Sequence, residues 1–271
     1  MNPLAELRYF FTALGYFTRV PVPRWVGYEP QWLTAAARYF PLVGACVGAL
    51  GALVYLAALR VFGAGVAVLL SMAATLAVTG AFHEDGLADC CDAFGGAYRR
   101  EDVLRIMHDS RIGAFGAIAL FVALALKWQT LVTLTTSHEA SASSMTSAAL
   151  SPGRFAILMI AAHAVSRACA VSYLVTLDYV RDEGKAKPVA QRMSVSAWLG
   201  ACVFALPWLA WFVWADWREG VAIVALLAVL RYALARYFVR RIGGYTGDCL
   251  GFAQQVFEIA LYLAALAWTS F

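Results

Sequence analysis

Seven apolar stretches divide this chain, at about residues 39–60, 64–82, 112–134, 154–177, 195–215, 219–239 and 250–270. Each is close to the roughly 20 residues that carry a helix across a bilayer. In hydrocarbon the backbone must satisfy its own hydrogen bonds, so each stretch is expected to be an α-helix. Composition leaves no soluble alternative: 62% of the 271 residues are apolar and 14% are charged, against roughly 45–50% and about 25% in soluble domains. No linker or repeat separates the stretches. The expectation is one all-α domain over residues 1–271, a polytopic membrane helix bundle. Residues 1–17 carry Glu6 and Arg8 inside an apolar pattern, with no small-residue cleavage site after it. They read as an amphipathic or partly inserted helix with Pro3 in its first turn, not as a cleaved signal.

The connecting segments alternate in charge. Arg8, Arg19, Arg24 and Arg38 precede the first span; Arg99, Arg100, Arg105 and Arg111 lie between the second and third. Arg181, Lys185, Lys187 and Arg192 follow the fourth, and Arg231, Arg236, Arg240 and Arg241 accompany the turn before the seventh. Those sixteen of the 21 Lys and Arg residues fall on one side; Arg60, Lys127, Arg154 and Arg218 fall on the other, with Arg167 inside a span. Basic loops face the cytoplasm, so the N-terminus is expected inside and the C-terminus outside. The net charge of +4 then reports topology and gives no reason to expect a nucleic acid partner. Cys46, Cys169 and Cys202 lie in apolar runs as small hydrophobes. Cys90, Cys91 and Cys249 fall on the cytoplasmic side, and no spacing resembles a zinc site or a disulfide framework.

Chemistry concentrates on that same side. His83-Glu84-Asp85-Gly86-Leu87-Ala88-Asp89-Cys90-Cys91-Asp92 begins where the second span leaves the membrane. Asp85, Asp89 and Asp92 are spaced i, i+4, i+7 and share one face if helical. Carboxylates so placed repel unless a cation lies among them, and hard oxygen ligands suit Mg²⁺, above all with phosphate oxygens from a substrate. The bland alternative is a solvated acidic helix end. His83 is an orienting or capping histidine as readily as a ligand. In Arg105–Gly113, Asp109 is a further carboxylate, Ser110 a donor and Arg111 a bidentate phosphate ligand; a capped helix start explains them equally well. Gly243-Gly244-Tyr245-Thr246-Gly247-Asp248 opens the last span, where a glycine-rich turn before a helix can cradle phosphate, or can simply be a turn capped by Asp248. Asp248, Gln255 and Glu258 then share a face in an otherwise apolar helix. Arg167, with His163 one turn before it, is an intramembrane cation that needs a partner, either an acid on another span or a phosphate at a pocket wall.

Taken together, Phe17–Pro23, Tyr39–Gly44, Thr79–Asp92, Arg105–Gly113, Ala164–Arg167 and Gly243–Gly251 make the chain resemble the cobalamin synthases (adenosylcobinamide-GDP ribazoletransferases) over nearly its whole length. It departs from their usual sequence at Ala81, often a glycine there, at Glu84, usually apolar, at His108, and at Gln254-Gln255. The resemblance implies a Mg²⁺-dependent phosphotransferase of the bacterial inner membrane with a cytoplasmic active face. A ribose hydroxyl of α-ribazole or its 5′-phosphate would attack adenosylcobinamide-GDP, giving adenosylcobalamin or its phosphate and releasing GMP. The implied roles are Asp85, Asp89 and Asp92 on the metal, Asp89 or Asp109 as proton acceptor, and Arg111 and Arg167 against charge on GMP. His83, Ser110, Gly247, Asp248, Gln255 and Glu258 are the remaining candidates for substrate and phosphate contacts. A homo-oligomer is compatible with this reading. The acidic run also partly resembles the CDP-alcohol phosphotransferase motif, but its second Gly-x-x-x-Asp-x-x-x-Asp half is absent. A transporter is the alternative of another class, though no repeat symmetry supports it.

Overall fold

The computed structural model describes residues 2–27, 29–136, 150–181 and 192–269. Over these residues the chain is helical: α1 (Pro3–Phe17), α2 (Trp32–Ala36), α3 (Phe40–Ala58), α4 (Ala64–Thr79), α5 (Phe82–Gly96), α6 (Arg100–His108), α7 (Ala114–Thr135), α8 (Pro152–Val171), α9 (Tyr173–Thr176), α10 (Val195–Ala215), α11 (Trp217–Ile242) and α12 (Gly247–Thr269). Most of the Ser/Thr/Ala-rich stretch 136–152, and Lys185 and Lys187 of the basic stretch 178–194, lie outside the described residues.

Six helical segments are long and apolar enough to cross a membrane: Trp32–Ala58, Ala114–Thr135, Pro152–Thr176, Val195–Ala215, Trp217–Ile242 and Gly247–Thr269. The seventh expected span is different. Helices α4 and α5 satisfy the criterion only together, and they meet at an 87° bend. Gly80 (φ 65°) and Ala81 (φ 56°) both adopt the left-handed conformation. The N–H of Ala81 donates to the Leu76 carbonyl (3.0 Å) and that of Gly80 to Ala77 (3.3 Å), the paired bonds of a Schellman ending. A side chain at Gly80 would also meet Arg19 Nε at 2.5 Å. Helix α4 itself runs the depth of the bundle beside α7. At one end Trp128 Nε1 donates to the Gly65 carbonyl (3.1 Å), and α7 begins at the other beside α5.

The core is built on α8 and α12. Helix α8 is buried against α3, α10 and α12, and α12 packs between α5, α7, α8 and α11. Helix α1 is capped by Asn2, whose Oδ1 accepts from the N–H of Leu4 (3.1 Å), and has Pro3 in its first turn, as its sequence requires. It is tied to the start of α3 by Glu6, which pairs with Arg38 (3.0 Å) and accepts from the Tyr39 hydroxyl (2.6 Å). Helices α5 and α12 cross at close range. A Cβ on Gly86 would lie 2.9 Å from the Asp248 carbonyl oxygen, and one on Gly251 3.3 Å from the Gly86 Cα. Two glycines therefore bring the backbones of α5 and α12 together with an aspartate-bearing turn on each.

Candidate active site

A cleft of about 330 Å³ opens where α5, the link from α6 to α7, the segment after α9 and the first turn of α12 converge; Asp85, Asp89 and Asp248 all line it. Of the three glycines in residues 82–96 only Gly86 lies inside α5, the other two ending it, and the i, i+4 spacing turns Asp85 and Asp89 to the same wall. Asp248 arrives from α12. Thr246 caps that helix, its Oγ1 accepting from the N–H of Cys249 (3.3 Å), so Asp248 is not the cap and its side chain faces the cleft. The charge that acts most strongly on Asp89 is Asp248, ahead of Asp85, Arg181 and Asp92.

Asp92 does something else. Its Oδ2 accepts from the N–H of Gly113 (2.7 Å) and its Oδ1 from that of Gly116 (2.8 Å). These are unpaired N–H groups at the start of α7, where a carboxylate is favoured by hydrogen bonding and by the helix dipole. Of the expected trio, Asp85 and Asp89 line the cleft, Asp92 is bound to the start of α7, and Asp248 is the third carboxylate at the cleft.

Arg181 enters from the chain after α9. Its Nη2 lies 2.7 Å from Asp248 Oδ2. The segment is held there by an isolated parallel bridge between Tyr179 and Tyr245, with Val180 N–H donating to the Tyr245 carbonyl (3.0 Å) and Tyr245 N–H to that of Asp178 (2.9 Å). Sequence reading counted Arg181 only as a topology charge; no local pattern links it to Asp248 across 67 positions. His108, Asp109 and Ser110 line the opposite wall. Asp109 is bound by Arg111, with Nη2 to Oδ2 at 2.6 Å and the Arg111 backbone N–H donating to Oδ1 at 3.1 Å. The side-chain and backbone hydrogen bonds from Arg111 hold the Asp109 carboxyl down at about 2. Asp109 is thus a poor proton acceptor, and Arg111 stands at the rim with its side chain 87% exposed.

His83 and Arg167 line a smaller cavity of about 40 Å³ that shares Tyr16, Phe82 and Gly247 with the acidic cleft. Arg167 Nη1 donates to the His163 carbonyl (2.8 Å), while its Nε is buried without a partner. Gln255 and Glu258 line neither space. Gln255 Nε2 donates to Glu84 Oε1 (2.9 Å) and to Gln254 Oε1 (2.8 Å). Glu258 pairs with Lys127, lies 3.4 Å from His163 Nδ1 and accepts from Gln254 Nε2 (2.7 Å). Both residues, expected as substrate contacts, stand in a buried network. Lys127, counted on the side opposite the basic loops, is 4% exposed and belongs to that network.

No three His, Cys, Asp or Glu side chains among the described residues stand close enough to cage an ion unaided. The donors still suit a hard cation. Asp248 Oδ2 is buried with an ion pair and no hydrogen bond, and Mg²⁺ commonly takes one or two carboxylates, waters and substrate phosphate oxygens in place of a full protein cage.

The chain is a polytopic membrane helix bundle with carboxylates, an arginine and a hydroxyl gathered around one cleft at its end. More particularly, the chain belongs to the cobalamin-5-phosphate synthase (CobS) family, whose family model matches residues 9–266. It is similar to proteins named adenosylcobinamide-GDP ribazoletransferase from Ralstonia pickettii (strain 12J), 56% identical with both chains covered in full, and from Leptothrix cholodnii (strain ATCC 51168 / LMG 8142 / SP-6), 47% identical over 97% of this chain and 96% of the relative. The protein of that name from Shewanella frigidimarina (strain NCIMB 400) is 43% identical, again over 97% and 96%. No solved structure matches the chain.

Proposed function

We propose that this protein is an adenosylcobinamide-GDP ribazoletransferase: it joins adenosylcobinamide-GDP to α-ribazole or its 5′-phosphate and releases GMP. Family membership and near-complete coverage by the curated relatives support the transferase reading. The observation that carries the chemistry is the convergence of Asp85, Asp89, Asp248 and Arg181 on one cleft.

The reaction forms one P–O bond and breaks another. A ribose hydroxyl oxygen attacks the phosphorus attached to the cobinamide, the pyrophosphate P–O bond breaks, and GMP leaves with that oxygen and its electrons. Transfers of this kind depend on positioning and on neutralising charge. One or two of the cleft carboxylates Asp85, Asp89 and Asp248 would hold Mg²⁺, which would neutralise charge on the diphosphate. Arg181 offsets the Asp248 charge and presents its remaining donors to phosphate oxygens. Ser110 donates a hydrogen bond from the facing wall. Asp89 takes the hydroxyl proton, since Arg111 makes Asp109 a weak acceptor. Arg167 stands behind the cleft, where its unpartnered Nε faces the small adjoining cavity as a phosphate or pocket-wall contact.

The cleft end of the bundle is assigned to the cytoplasmic face of a bacterial inner membrane. Sixteen Lys and Arg residues accompany that side in the sequence, and burying Lys127 removes one of those counted opposite. The test is GMP release by purified protein from adenosylcobinamide-GDP plus α-ribazole 5′-phosphate, with and without Mg²⁺. Release that requires both substrates and the ion supports the proposal; no release under any of these conditions rejects it.

A further inference from the structure

Helices α8, α10 and α11 do not close on one another. Between them lies a slot of about 580 Å³ that shares no lining residue with the acidic cleft. Its sides are apolar, including Val165 of α8, Leu206 and Leu209 of α10, and Val224 and Leu227 of α11. Leu206 and Val224 remain 55% and 49% exposed, so the slot is open sideways to the bilayer.

One end is different. Arg231 lines it, with Nε donating to Ser172 Oγ (3.1 Å) and Nη2 to Thr176 Oγ1 (2.5 Å), and its guanidinium 5.4 Å from the Tyr173 ring centre. No carboxylate among the described residues pairs with it. Two of its five donors are spent on hydroxyls, and its charge is uncompensated at the edge of an apolar slot. Ser172 precedes α9 and Thr176 ends it, just ahead of the Tyr179–Tyr245 bridge beside the cleft, which puts Arg231 toward the cleft end of the bundle. The α10 wall, from Val195 to Leu209, runs roughly 20 Å at 1.5 Å per residue. A cation toward the cleft end of a long apolar slot that opens into lipid is complementary to a phosphate carrying an acyl chain.

We propose that this slot binds one anionic phospholipid, with its phosphate on Arg231 and one acyl chain between α10 and α11. The occupant belongs to the leaflet on the cleft side. The corrinoid nucleotide is excluded by the apolar walls and by the slot's separation from the cleft.

The test is native mass spectrometry of full-length protein released from mixed micelles carrying equal dioleoylphosphatidylglycerol and dioleoylphosphatidylcholine. The wild type is expected to retain one phosphatidylglycerol with about tenfold preference, because the fixed choline cation beside the other lipid's phosphate repels Arg231 and leaves that lipid net neutral. Arg231→Gln should erase the preference, and Arg231→Lys should keep part of it. Ala228→Trp, which fills the slot from α11 and leaves Arg231 in place, should reduce retention of both lipids. Equal retention by the wild type overturns the proposal, as does lipid binding unchanged by Ala228→Trp. A lipid-free dimer that Ala228→Trp dissociates would assign the slot to a second copy and overturn it equally.

Discussion

Asp89 and Asp92 sit three residues apart on one helix, yet their surroundings give them different work. Asp89 faces the cleft with Asp85 and Asp248, while both Asp92 oxygens hold the start of α7. Asp89→Asn should lower turnover about 10²–10⁴-fold, the usual worth of a positioned proton acceptor, with membrane insertion unchanged by fractionation. Asp92→Ala should instead lower stability by about 1–2 kcal/mol, the cost of a lost helix cap, read as an earlier unfolding transition. Asp109 gives a pH signature. Its carboxyl falls from the ordinary 3.8 to about 2 on folding, so its contribution to stability is fully present above the ordinary value and lost as pH falls through the folded one. The difference in unfolding midpoint between wild type and Asp109→Asn should therefore hold steady near neutrality and close only between about pH 4 and pH 2. The spacing of Asp85 and Asp89 could be read in advance because both belong to one helix. Asp92 could not, because its partners come with α7, 21 and 24 residues later. Arg181 was hidden for the same reason.

At the scale of elements, the break between α4 and α5 sets the site. Without the 87° turn, α5 would continue α4 through the bundle and carry its aspartates away from α12. Gly80 turns the chain at no steric cost, whereas Ala81 at φ 56° accepts a conformation that costs a residue with a Cβ roughly 1–2 kcal/mol. Ala81→Gly should raise stability by about 1 kcal/mol, offset in part by greater freedom of the unfolded chain, seen as a later thermal transition. The apolar runs made the helices legible, since a span of that length in lipid has no other solution. They did not reveal the sharp bend, which depends on the tertiary placement of Arg19 and α12, and they merged α4 with the first residues of its partner. The α5–α12 crossing was not legible in the sequence; that Gly86 and Gly251 meet each other required the fold.

For the whole molecule, a buried polar network stands behind the cleft. Glu258 is 0% exposed and joins Lys127 of α7 and His163 of α8 to α12. Burying an ion pair recovers little net energy, but removing one partner strands the other. Glu258→Gln should destabilise the bundle by about 3–5 kcal/mol, and Lys127→Met combined with Glu258→Leu should recover much of that loss, measured by unfolding in the same detergent. Glu84 and Gln255, both departures from the usual family sequence, belong to this network and bond each other at 2.9 Å. The cost of intramembrane ionisable groups marked out Glu258 and Arg167 in the sequence, but not Glu84 or Lys127. It did not say whether substrate or protein would answer the charge, because that depends on which helices are neighbours.

The most direct measurement is the rate of GMP release against Mg²⁺ concentration for Asp248→Asn and Asp92→Asn, compared with wild type. If the cleft carboxylates hold the ion, Asp248→Asn needs far more Mg²⁺ and turns over slowly even when saturated. Asp92→Asn, though less stable, keeps the wild-type Mg²⁺ dependence at a temperature where it is folded. The opposite pattern, with Asp248→Asn following the wild-type curve and Asp92→Asn losing its response to Mg²⁺, would contradict the account.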